Sequence, residues 1–435
     1  MGDTNDAADA VLMCTPDLDA KDAEAELLLC QSIDRLCRQL WPPPTTLQHQ
    51  LIRYVRQTRL DRTLVPQSHE PVVKRMAGGN VNSITAITLP PHHVKNNLSK
   101  LILRVPHFGW TGEFRVDREV AILKYVRKHS DIPVPGVVAF DATLQNPLGK
   151  PYTLLQRIPG TTVNDVWETL NTKQRCQLAE QLGQINKTLR GMTVPNAGLI
   201  EPITDSQGNE SFKIVRFEVE QAEREDEEPP EQEPRAPQST LDVFLTQLTR
   251  WQVSNGDKNG ANILYPKLLD CVREMNGLGC FATQSHCLCH MDLHKHKRNI
   301  LISIDPSDLA VTVTGILDWD EAIFAPQFVK CRPLAWLWLD EDAPWLYERP
   351  GLGEIPKSVD EDEIKRTFED NAGGDEYREM AYGDVFRLGR ALWWIATHGL
   401  DGFFKQYKAA EKVIEEWAVL REKMLEERAE KGVDQ

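Results

Sequence analysis

The chain has 435 residues, of which 41% are hydrophobic and 11 are tryptophans, enough apolar material for a large buried core. Its 65 acidic residues outnumber its 50 basic ones, and the formal charge of −15 argues against nonspecific binding to nucleic acid or anionic membranes. No apolar run approaches the roughly 20 residues that span a bilayer. Composition therefore predicts a soluble globular protein with neither a nucleic-acid nor a membrane partner.

The number of cysteines and the composition of the first twenty residues indicate the cellular compartment of the protein. The nine cysteines are an odd number scattered through the chain, which favours free thiols in a reducing compartment over a disulfide framework. The first twenty residues contain five aspartates and neither an apolar core nor an arginine-rich pattern, which opposes a secretory signal or a mitochondrial transit peptide. We therefore expect a cytoplasmic protein.

Residues 1–70 are predicted to form a helical extension. Its amphipathic helix, from Ala23 to Trp41, is followed by three prolines that stop it. One side of this helix is apolar and carries Leu29, Ile33, Leu36 and Leu40. We expect this side to pack on the rest of the protein. A protein partner on this helix, or on the charged C-terminal helix from Ala409 to Glu430, is the open alternative.

Residues 71–156 are predicted to form a small domain in which strands accompany one helix. Gly78, Gly79 and Asn82 lie in a glycine-centred loop before the β-branched run from Ile84 to Leu89. Backbone amides in such a loop can approach phosphate groups. The same residues also suit an ordinary turn, so the loop alone does not decide between the two interpretations.

A buried ion pair is predicted in the same domain. Lys100 to Val105 alternates as a strand and carries Arg104, and Val116 to Lys128 has the periodicity of a helix. Glu119 falls on the apolar face of that helix. A carboxylate there is destabilising unless a cation meets it, and Arg104 is the natural candidate.

Residues 157–430 are predicted to form a larger, helical domain. An insertion from about 203 to 238 is polar, acidic and rich in proline, and we expect it to be disordered. Trp336 and Trp338 suit either a pocket wall or, more often, the core. Helical patterns continue at Leu241 to Val253, Ile263 to Met275 and Met380 to His398.

The most informative segment of this domain predicts a β-hairpin. Two apolar runs, Ile300 to Ile304 and Val311 to Leu317, flank an Asp-Pro-Ser-Asp turn. Because the arms are similar in length, Asn299 and Asp318 should lie side by side at the open end.

The polar residues of this segment have the types that phosphoryl transfer requires. An amide oxygen of Asn299 and the carboxylate of Asp318 can hold Mg²⁺. Asp292 lies a few residues upstream, where it can accept the proton of a substrate hydroxyl. Zinc is an alternative for the nearby cysteines and histidines, but Cys287 and Cys289 have no matching Cys-x-x-Cys partner and suit one buried strand face better.

This segment, and above all G-I-L-D-W-D-E-A-I-F-A-P at 315–326, resembles the aminoglycoside phosphotransferase and choline kinase group and looks closest to its large fungal branch. The resemblance covers roughly Val72 to His398. It implies an α+β, two-lobed, protein-kinase-like fold with a small, mainly antiparallel β lobe and a larger helical lobe. It also implies an ATP- and Mg²⁺-dependent kinase that acts on a hydroxyl group of a small molecule.

The resemblance assigns roles to the residues of both domains. Asp292 takes the place of the catalytic base and His290 that of the residue that holds the catalytic loop, while Asn299 and Asp318 are the metal ligands. Arg104 stands where a lysine contacts the nucleotide phosphates, and Glu119 aligns it. The backbone from Leu155 to Ile158, with Gln156 and Ile158, corresponds to the hinge that pairs with adenine.

Two departures from the family pattern favour a second interpretation. Asp292 and Asn299 are separated by seven positions, two more than in the family, as one additional His-Lys pair would produce. Arginine replaces lysine at position 104. Both fit a catalytically silent scaffold that binds nucleotide or a protein partner. Aminoglycosides, choline-like amines, sugars and other hydroxylated metabolites all stay open as acceptors.

Overall fold

The structure is a computed structural model that describes residues 20–40, 71–76, 82–89, 99–107, 116–204, 210–216, 238–255, 261–282, 285–293, 297–339, 351, 353, 358–400 and 406–430. The chain divides into two compact units. The smaller unit comprises residues 1–120 and 135–157, and the larger one comprises residues 121–134 and 158–435. An antiparallel sheet dominates the smaller unit and helices dominate the larger, which confirms the predicted α+β class.

The elements from the N-terminus to residue 156 are helix α1 (Ala20–Leu40), strands β1 (Val72–Arg75), β2 (Asn82–Thr88) and β3 (Lys100–Pro106), helix α2 (Val116–His129), and strands β4 (Val137–Asp141) and β5 (Tyr152–Gln156). The five strands form one sheet in the order β1-β2-β3-β5-β4, and every neighbouring pair is antiparallel. The β-branched and leucine residues that predicted strands 84–89 and 100–105 supply its buried positions.

Helix α1 packs on this sheet through its apolar side. Ile33, Leu36 and Cys37 are buried in one cluster with Leu101 of β3 and Leu154 of β5. Burial of an aliphatic side chain of this size stabilises a fold by roughly 1.5–3 kcal/mol. The prediction that the N-terminal helix packs on the body of the protein is therefore confirmed.

The strands of the larger unit are β6 (Thr161–Thr162), β7 (Thr193–Val194), β8 (Leu199–Thr204), β9 (Glu210–Val215), β10 (His286–Cys289), β11 (Ile300–Ile304), β12 (Val311–Ile316) and β13 (Ile323–Pro326). Its helices are α3 (Val163–Val166), α4 (Thr172–Gly191), α5 (Thr240–Asn255), α6 (Ala261–Gly277), α7 (Gln327–Lys330), α8 (Val359–Ala372), α9 (Asp375–Tyr382), α10 (Asp384–His398) and α11 (Tyr407–Glu430). In the described part of this unit, short 3₁₀ turns span Trp167–Thr169, Lys297–Asn299 and Ala335–Leu337.

Aromatic side chains hold the core of the larger unit together. Trp393 of α10 meets Phe244 of α5 edge-on, with 5.8 Å between the ring centroids. Trp417 of α11 is buried in the same cluster, and its indole N–H donates to Glu274 of α6 over 2.9 Å. The C-terminal helix thus buries its apolar side within the larger unit, as the N-terminal helix does in the smaller one.

Two predictions for the larger unit differ from the structure. The insertion expected to be disordered from about 203 contains strand β9, which pairs with β8 along its whole length. Its apolar residues Phe212 and Ile214 are half-buried and Val215 is buried. Residues 217–237 lie outside the described part. The single helix predicted from Met380 to His398 is instead two, because Gly383 takes an extended conformation between α9 and α10.

None of the described helices is long and apolar enough to cross a membrane. The seven cysteines whose side chains the structure describes are free thiols, and five of them are buried. Burial raises the pKa of Cys37 to about 11 and those of Cys271 and Cys331 to about 12. These thiols stay protonated at neutral pH and are therefore poor nucleophiles.

Candidate active site

Strands β11 and β12 form the hairpin that the sequence predicts. Ile300 lies opposite Ile316, and the N–H of Leu317 donates to the carbonyl of Asn299 over 2.8 Å. Asp318 is the next residue along the chain. Asn299 and Asp318 therefore lie at the same end of the hairpin, as the similar lengths of its arms predict.

Asp292 reaches this end of the hairpin as well. The Asn299 side chain is buried, and its Nδ2 donates a hydrogen bond to Asp292 Oδ2 over 2.8 Å. The seven positions between the two residues thus do not keep their side chains apart. Residues 294–296, which include the additional pair, lie outside the described part of the chain.

His290 ties the end of β10 to the second arm of the hairpin. Its Nε2 lies 2.7 Å from the carbonyl oxygen of Leu317, and because a carbonyl only accepts, Nε2 carries the proton. The ring also packs on Trp319, with 4.5 Å between centroids. Burial lowers the pKa of His290 to about 4, against smaller opposing effects of the Leu317 carbonyl and the Asp318 carboxylate. The imidazole is therefore neutral at pH 7.

The backbone on both sides of the site adopts left-handed conformations. Met291 has a φ of 62° and Asp318 a φ of 65°, which non-glycine residues adopt infrequently. Residues held in this way cluster at functional sites, where the surrounding structure offsets the local cost. The turns lie directly before Asp292 and directly before Trp319.

The residues at this end of the hairpin suit a magnesium ion by their chemistry. Mg²⁺ prefers oxygen ligands, and the carboxylate of Asp318 supplies them. Asn299 uses its Nδ2 on Asp292, which leaves its Oδ1 as the group of ligand type. The described residues contain no group of three or more His, Cys, Asp or Glu side chains arranged to hold a metal, and hence no such zinc cluster.

The segment after Arg157 is docked on the same hairpin. Ile158 packs against Gly315 of β12, where an added Cβ would lie 2.9 Å from the Ile158 Cδ1. Thr314 Oγ1 donates to the carbonyl of Pro159 over 2.7 Å, and Thr162 pairs with Leu301 of β11. Gly160 has a φ of 132° and lies so close to β11 that a side chain would clash with Ile302.

The smaller unit contains the predicted ion pair. Arg104 of β3 donates from Nη1 to Glu119 Oε1 of α2 over 2.5 Å, and Thr153 Oγ1 of β5 donates to Glu119 Oε2 over 3.2 Å. Arg104 and Glu119 are only 9% and 8% exposed. The pairing predicted from the apolar surroundings of both residues is therefore confirmed, and contact of Arg104 with phosphate stays a prediction.

The structure describes the positions of two of the other residues that were predicted to contact the nucleotide. Asn82 is buried at the start of β2, opposite Pro106. Gln156 ends β5, and its N–H donates to the carbonyl of Gly136 over 2.7 Å. Gly78 and Gly79 lie outside the described residues.

A small pocket of about 30 Å³ lies in the larger unit next to the loop that carries Asp292. Its wall includes His290, Met291 and Leu293 from the loop that carries Asp292. Basic and aromatic side chains complete it, among them Lys330, Arg332, Arg390, Trp393 and Trp394.

Comparison with known proteins identifies the family. Residues 92–328 match the Phosphotransferase enzyme family, APH. The chain belongs to this family. The resemblance predicted from the catalytic segment is thereby confirmed, and the match ends two residues before Lys330.

Two curated relatives and several solved structures resemble this APH-family protein. Both relatives are subtelomeric hrmA-associated cluster proteins of Aspergillus fumigatus strains, 24% identical over 150 residues. The match spans 34% of this chain and 28% of each relative's length.

The structures include aminoglycoside phosphotransferase APH(4)-Ia with AMP-PNP and hygromycin B, at 12% identity over 81% of this chain and 93% of that chain, with a TM-score of 0.43. Choline kinase from Cryptosporidium parvum has 13% identity over 93% of this chain and 97% of that chain, with a TM-score of 0.42. A microcompartment-associated aminopropanol kinase has 18% identity over 86% of this chain and 98% of that chain, with a TM-score of 0.41.

Sequence reasoning missed the basic wall of the pocket in this APH-family protein. Lys330 and Arg332 follow a buried apolar strand, and the only available signal was two basic residues within the apolar surroundings of β13 and the 3₁₀ turn after it. Arg390 lies on α10, far away in sequence. Trp336 and Trp338, in contrast, are 3% and 2% exposed, which confirms that they belong to the core.

Proposed function

We propose that this protein is an ATP-dependent phosphotransferase that transfers the γ-phosphate of ATP to a hydroxyl group of a small molecule. The observation that carries the proposal is the hydrogen bond of 2.8 Å from Asn299 to Asp292 at the end of the hairpin that leads to Asp318. It unites the proposed base with a proposed metal ligand across the lengthened loop. Membership of a phosphotransferase enzyme family supports the same reaction class.

Asp292 is the proposed general base. Its carboxylate accepts the proton of the acceptor hydroxyl while the hydroxyl oxygen attacks the γ-phosphorus and ADP departs. Asn299 orients this carboxylate by donating to Oδ2. A base positioned in this way contributes a factor of roughly 10²–10⁴ to the rate.

Asn299 Oδ1 and the Asp318 carboxylate are the groups that would hold Mg²⁺. When bound, the ion neutralises negative charge on the transferred phosphate. His290 positions this part of the site, because its Nε2–H holds the carbonyl of Leu317 immediately before Asp318. A neutral imidazole also avoids repulsion of the cation.

The proposal is tested by nucleotide binding and phosphate transfer on the purified full-length chain. ADP or AMP-PNP with Mg²⁺ should raise the melting temperature, since a ligand at 100 times its Kd stabilises a protein by about 2.7 kcal/mol. Labelled ATP and a pool of hydroxylated acceptors should yield a labelled product. Asp292→Asn should lower kcat about 10²–10⁴-fold and leave the nucleotide-induced shift in melting temperature intact.

Asp308→Asn is the matched control, because Asp308 lies exposed in the turn of the same hairpin and an Asn oxygen can still accept from the N–H of Ala310. It should retain full activity. Nucleotide binding without hydrolysis or transfer would instead support the silent scaffold. Unchanged transfer in Asp292→Asn would rule out Asp292 as the base.

A further inference from the structure

The lengthened loop from Asp292 to Asn299 ends in the 3₁₀ turn Lys297–Asn299. Its first end is held by the N–H of Asp292, which donates to the carbonyl of His290 over 2.8 Å, and by the buried side chain of Leu293. The turn at the other end needs contacts of its own, because each residue added to a loop raises the entropy cost of bringing its ends together. The contact of Asn299 with Asp292 therefore depends on what holds this turn.

Lys297 is the first residue of the turn, and its ammonium lies over two tryptophan rings. Its Nζ is 4.9 Å from the ring centroid of Trp167 and 5.9 Å from that of Trp336. An ammonium within about 6 Å of an indole centroid is attracted by the negative face of the ring, and exclusion of water strengthens the attraction. The two tryptophans are only 5% and 3% exposed. We call Trp167 and Trp336 the tryptophan pair.

The tryptophan pair is itself held in place by its neighbours. Arg175 of α4 donates from Nη2 to the carbonyl of Trp167 over 3.1 Å, and its guanidinium carbon lies 4.4 Å from the Trp167 ring centroid. The ring of Trp336 meets that of Trp167 edge-on, with 5.3 Å between the centroids. These contacts restrict the rotation of the Trp167 side chain. The tryptophan pair therefore offers Lys297 a fixed surface.

The backbone connects the tryptophan pair to the hairpin of β11 and β12. Thr162 pairs with Leu301 of β11, and its hydroxyl caps helix α3 by accepting from the N–H of Asp165 over 3.3 Å. Helix α3 leads directly into the 3₁₀ turn that begins with Trp167, and it packs against the turn Lys297–Asn299. A contact between Lys297 and the tryptophan pair therefore fixes the end of the loop relative to the hairpin.

We propose that Lys297 is a positioning residue, whose contact with the tryptophan pair fixes the turn that places Asn299 against Asp292. This role rests on the proposed function, in which Asn299 orients the base and offers its Oδ1 to Mg²⁺. Lys297 acts through Asn299 and takes no part in the transfer itself. Because the entropy cost of a loop rises only with the logarithm of its length, a single contact of this kind can offset two additional residues.

The first test measures the Mg²⁺ requirement of nucleotide binding on the purified full-length chain. Mg²⁺ is titrated at a fixed concentration of ADP, and the melting temperature is recorded. Lys297→Met keeps an unbranched side chain but removes the charge, and it should raise the half-saturating Mg²⁺ concentration about fivefold or more. A residue that only stabilised the fold would change the melting temperature of the ligand-free protein without changing this Mg²⁺ requirement.

Three variants show whether the contact with the rings is responsible. Lys297→Arg keeps a cation that stacks on aromatic rings and should stay within about twofold of the wild type. Arg298→Met removes the same charge from the exposed neighbouring position of the turn and should also stay within about twofold. In a Trp167→Leu background, Lys297→Met should change the Mg²⁺ requirement less than about twofold, because the nearer ring is already absent.

The second test is amide hydrogen exchange, which needs neither metal nor nucleotide. In Lys297→Met, the peptide that spans residues 292–301 should exchange about fivefold faster than in the wild type, because the turn opens more often. Exchange in α10 should stay unchanged. Lys297→Arg should restore the slow exchange of residues 292–301.

Unchanged exchange of residues 292–301 in Lys297→Met would overturn the proposal, as would an unchanged Mg²⁺ requirement in a protein that responds to ADP. An equal loss in Arg298→Met, a failure of Lys297→Arg to restore the wild-type values, or a full effect of Lys297→Met in Trp167→Leu would overturn it as well. A wild-type protein without any response to ADP would count against the proposed function. Hydrogen exchange in the same variants would then still decide whether Lys297 holds the turn.

Discussion

Arg104 in the smaller unit and Lys330 in the larger one are both buried cations, 9% and 7% exposed. Arg104 lies against Glu119, and a threonine hydroxyl supports the same carboxylate. Lys330 has thiols and a guanidinium around it instead, with no carboxylate among the described groups that act on it. One unit therefore compensates its buried charge with a carboxylate, whereas no carboxylate is among the described groups that act on the buried charge of the other.

The difference separates stability from function. A buried ion pair loses stability when one partner is removed, because the remaining charge stays in a low-dielectric environment. A buried cation without a partner already carries this cost, so its removal should not destabilise the fold. Sites where a fold tolerates such a cost are candidates for ligand binding.

The largest effect on stability is expected from Glu119→Gln. This variant removes the carboxylate that pairs with the buried Arg104 guanidinium and should lower the free energy of unfolding by about 3–5 kcal/mol. Urea unfolding measures the change. The double variant Arg104→Met/Glu119→Leu should recover most of the loss, because no buried charge remains. If the single variant is as stable as the wild type, the pair does not compensate a buried charge.

The next largest effect on stability is expected from the protonation of His290 at low pH. Its pKa is about 4 in the folded protein and 6.5 ordinarily, so between these values only the unfolded chain takes up the proton. Folding stability should therefore fall as the pH drops from about 6.5 to 4, by about 3 kcal/mol from this group.

His290→Gln, which keeps an N–H donor, should remove this part of the pH dependence when urea unfolding is compared at pH 7 and pH 5. His129→Gln, at an exposed position on α2, should leave the dependence unchanged. Parallel pH profiles for His290→Gln and the wild type would show that the imidazole is not kept neutral by burial.

Lys330→Met should give the smallest effect and the opposite sign to Glu119→Gln. Removal of the buried ammonium should raise the free energy of unfolding by on the order of 1 kcal/mol in the absence of ligand. Differential scanning calorimetry of the ligand-free variant tests this. A loss of stability comparable to that of Glu119→Gln would mean that Lys330 has a structural counter-charge after all, and the contrast between the units would disappear.

Short-range patterns were sufficient for much of the site. The alternation in 300–304 and 311–316 and the Asp-Pro-Ser-Asp turn predicted the hairpin, whose Asp305 accepts from the N–H and hydroxyl of Ser307. The position of Glu119 among apolar helix residues was enough to predict its cation. These are local rules, since each depends on residues that are neighbours on one element or on paired strands.

Local patterns failed at two elements of the larger unit. Strand β9 lies in a polar segment and forms because β8 offers it an edge. Helix α9 ends at Tyr382 because the chain reorients at Gly383, although the residues on both sides have helical patterns.

The family, the α+β class, the hairpin of β11 and β12 and the buried pair of Arg104 with Glu119 follow from the amino-acid sequence alone, because their determinants recur at short spacing or in one contiguous motif. Three-dimensional packing was needed to show that Asn299 still reaches Asp292 across the longer loop and that Lys330, Arg332 and Arg390 line one pocket. Charge compensation in a buried pocket depends on which distant side chains the packed core brings together, and no local pattern contains that information.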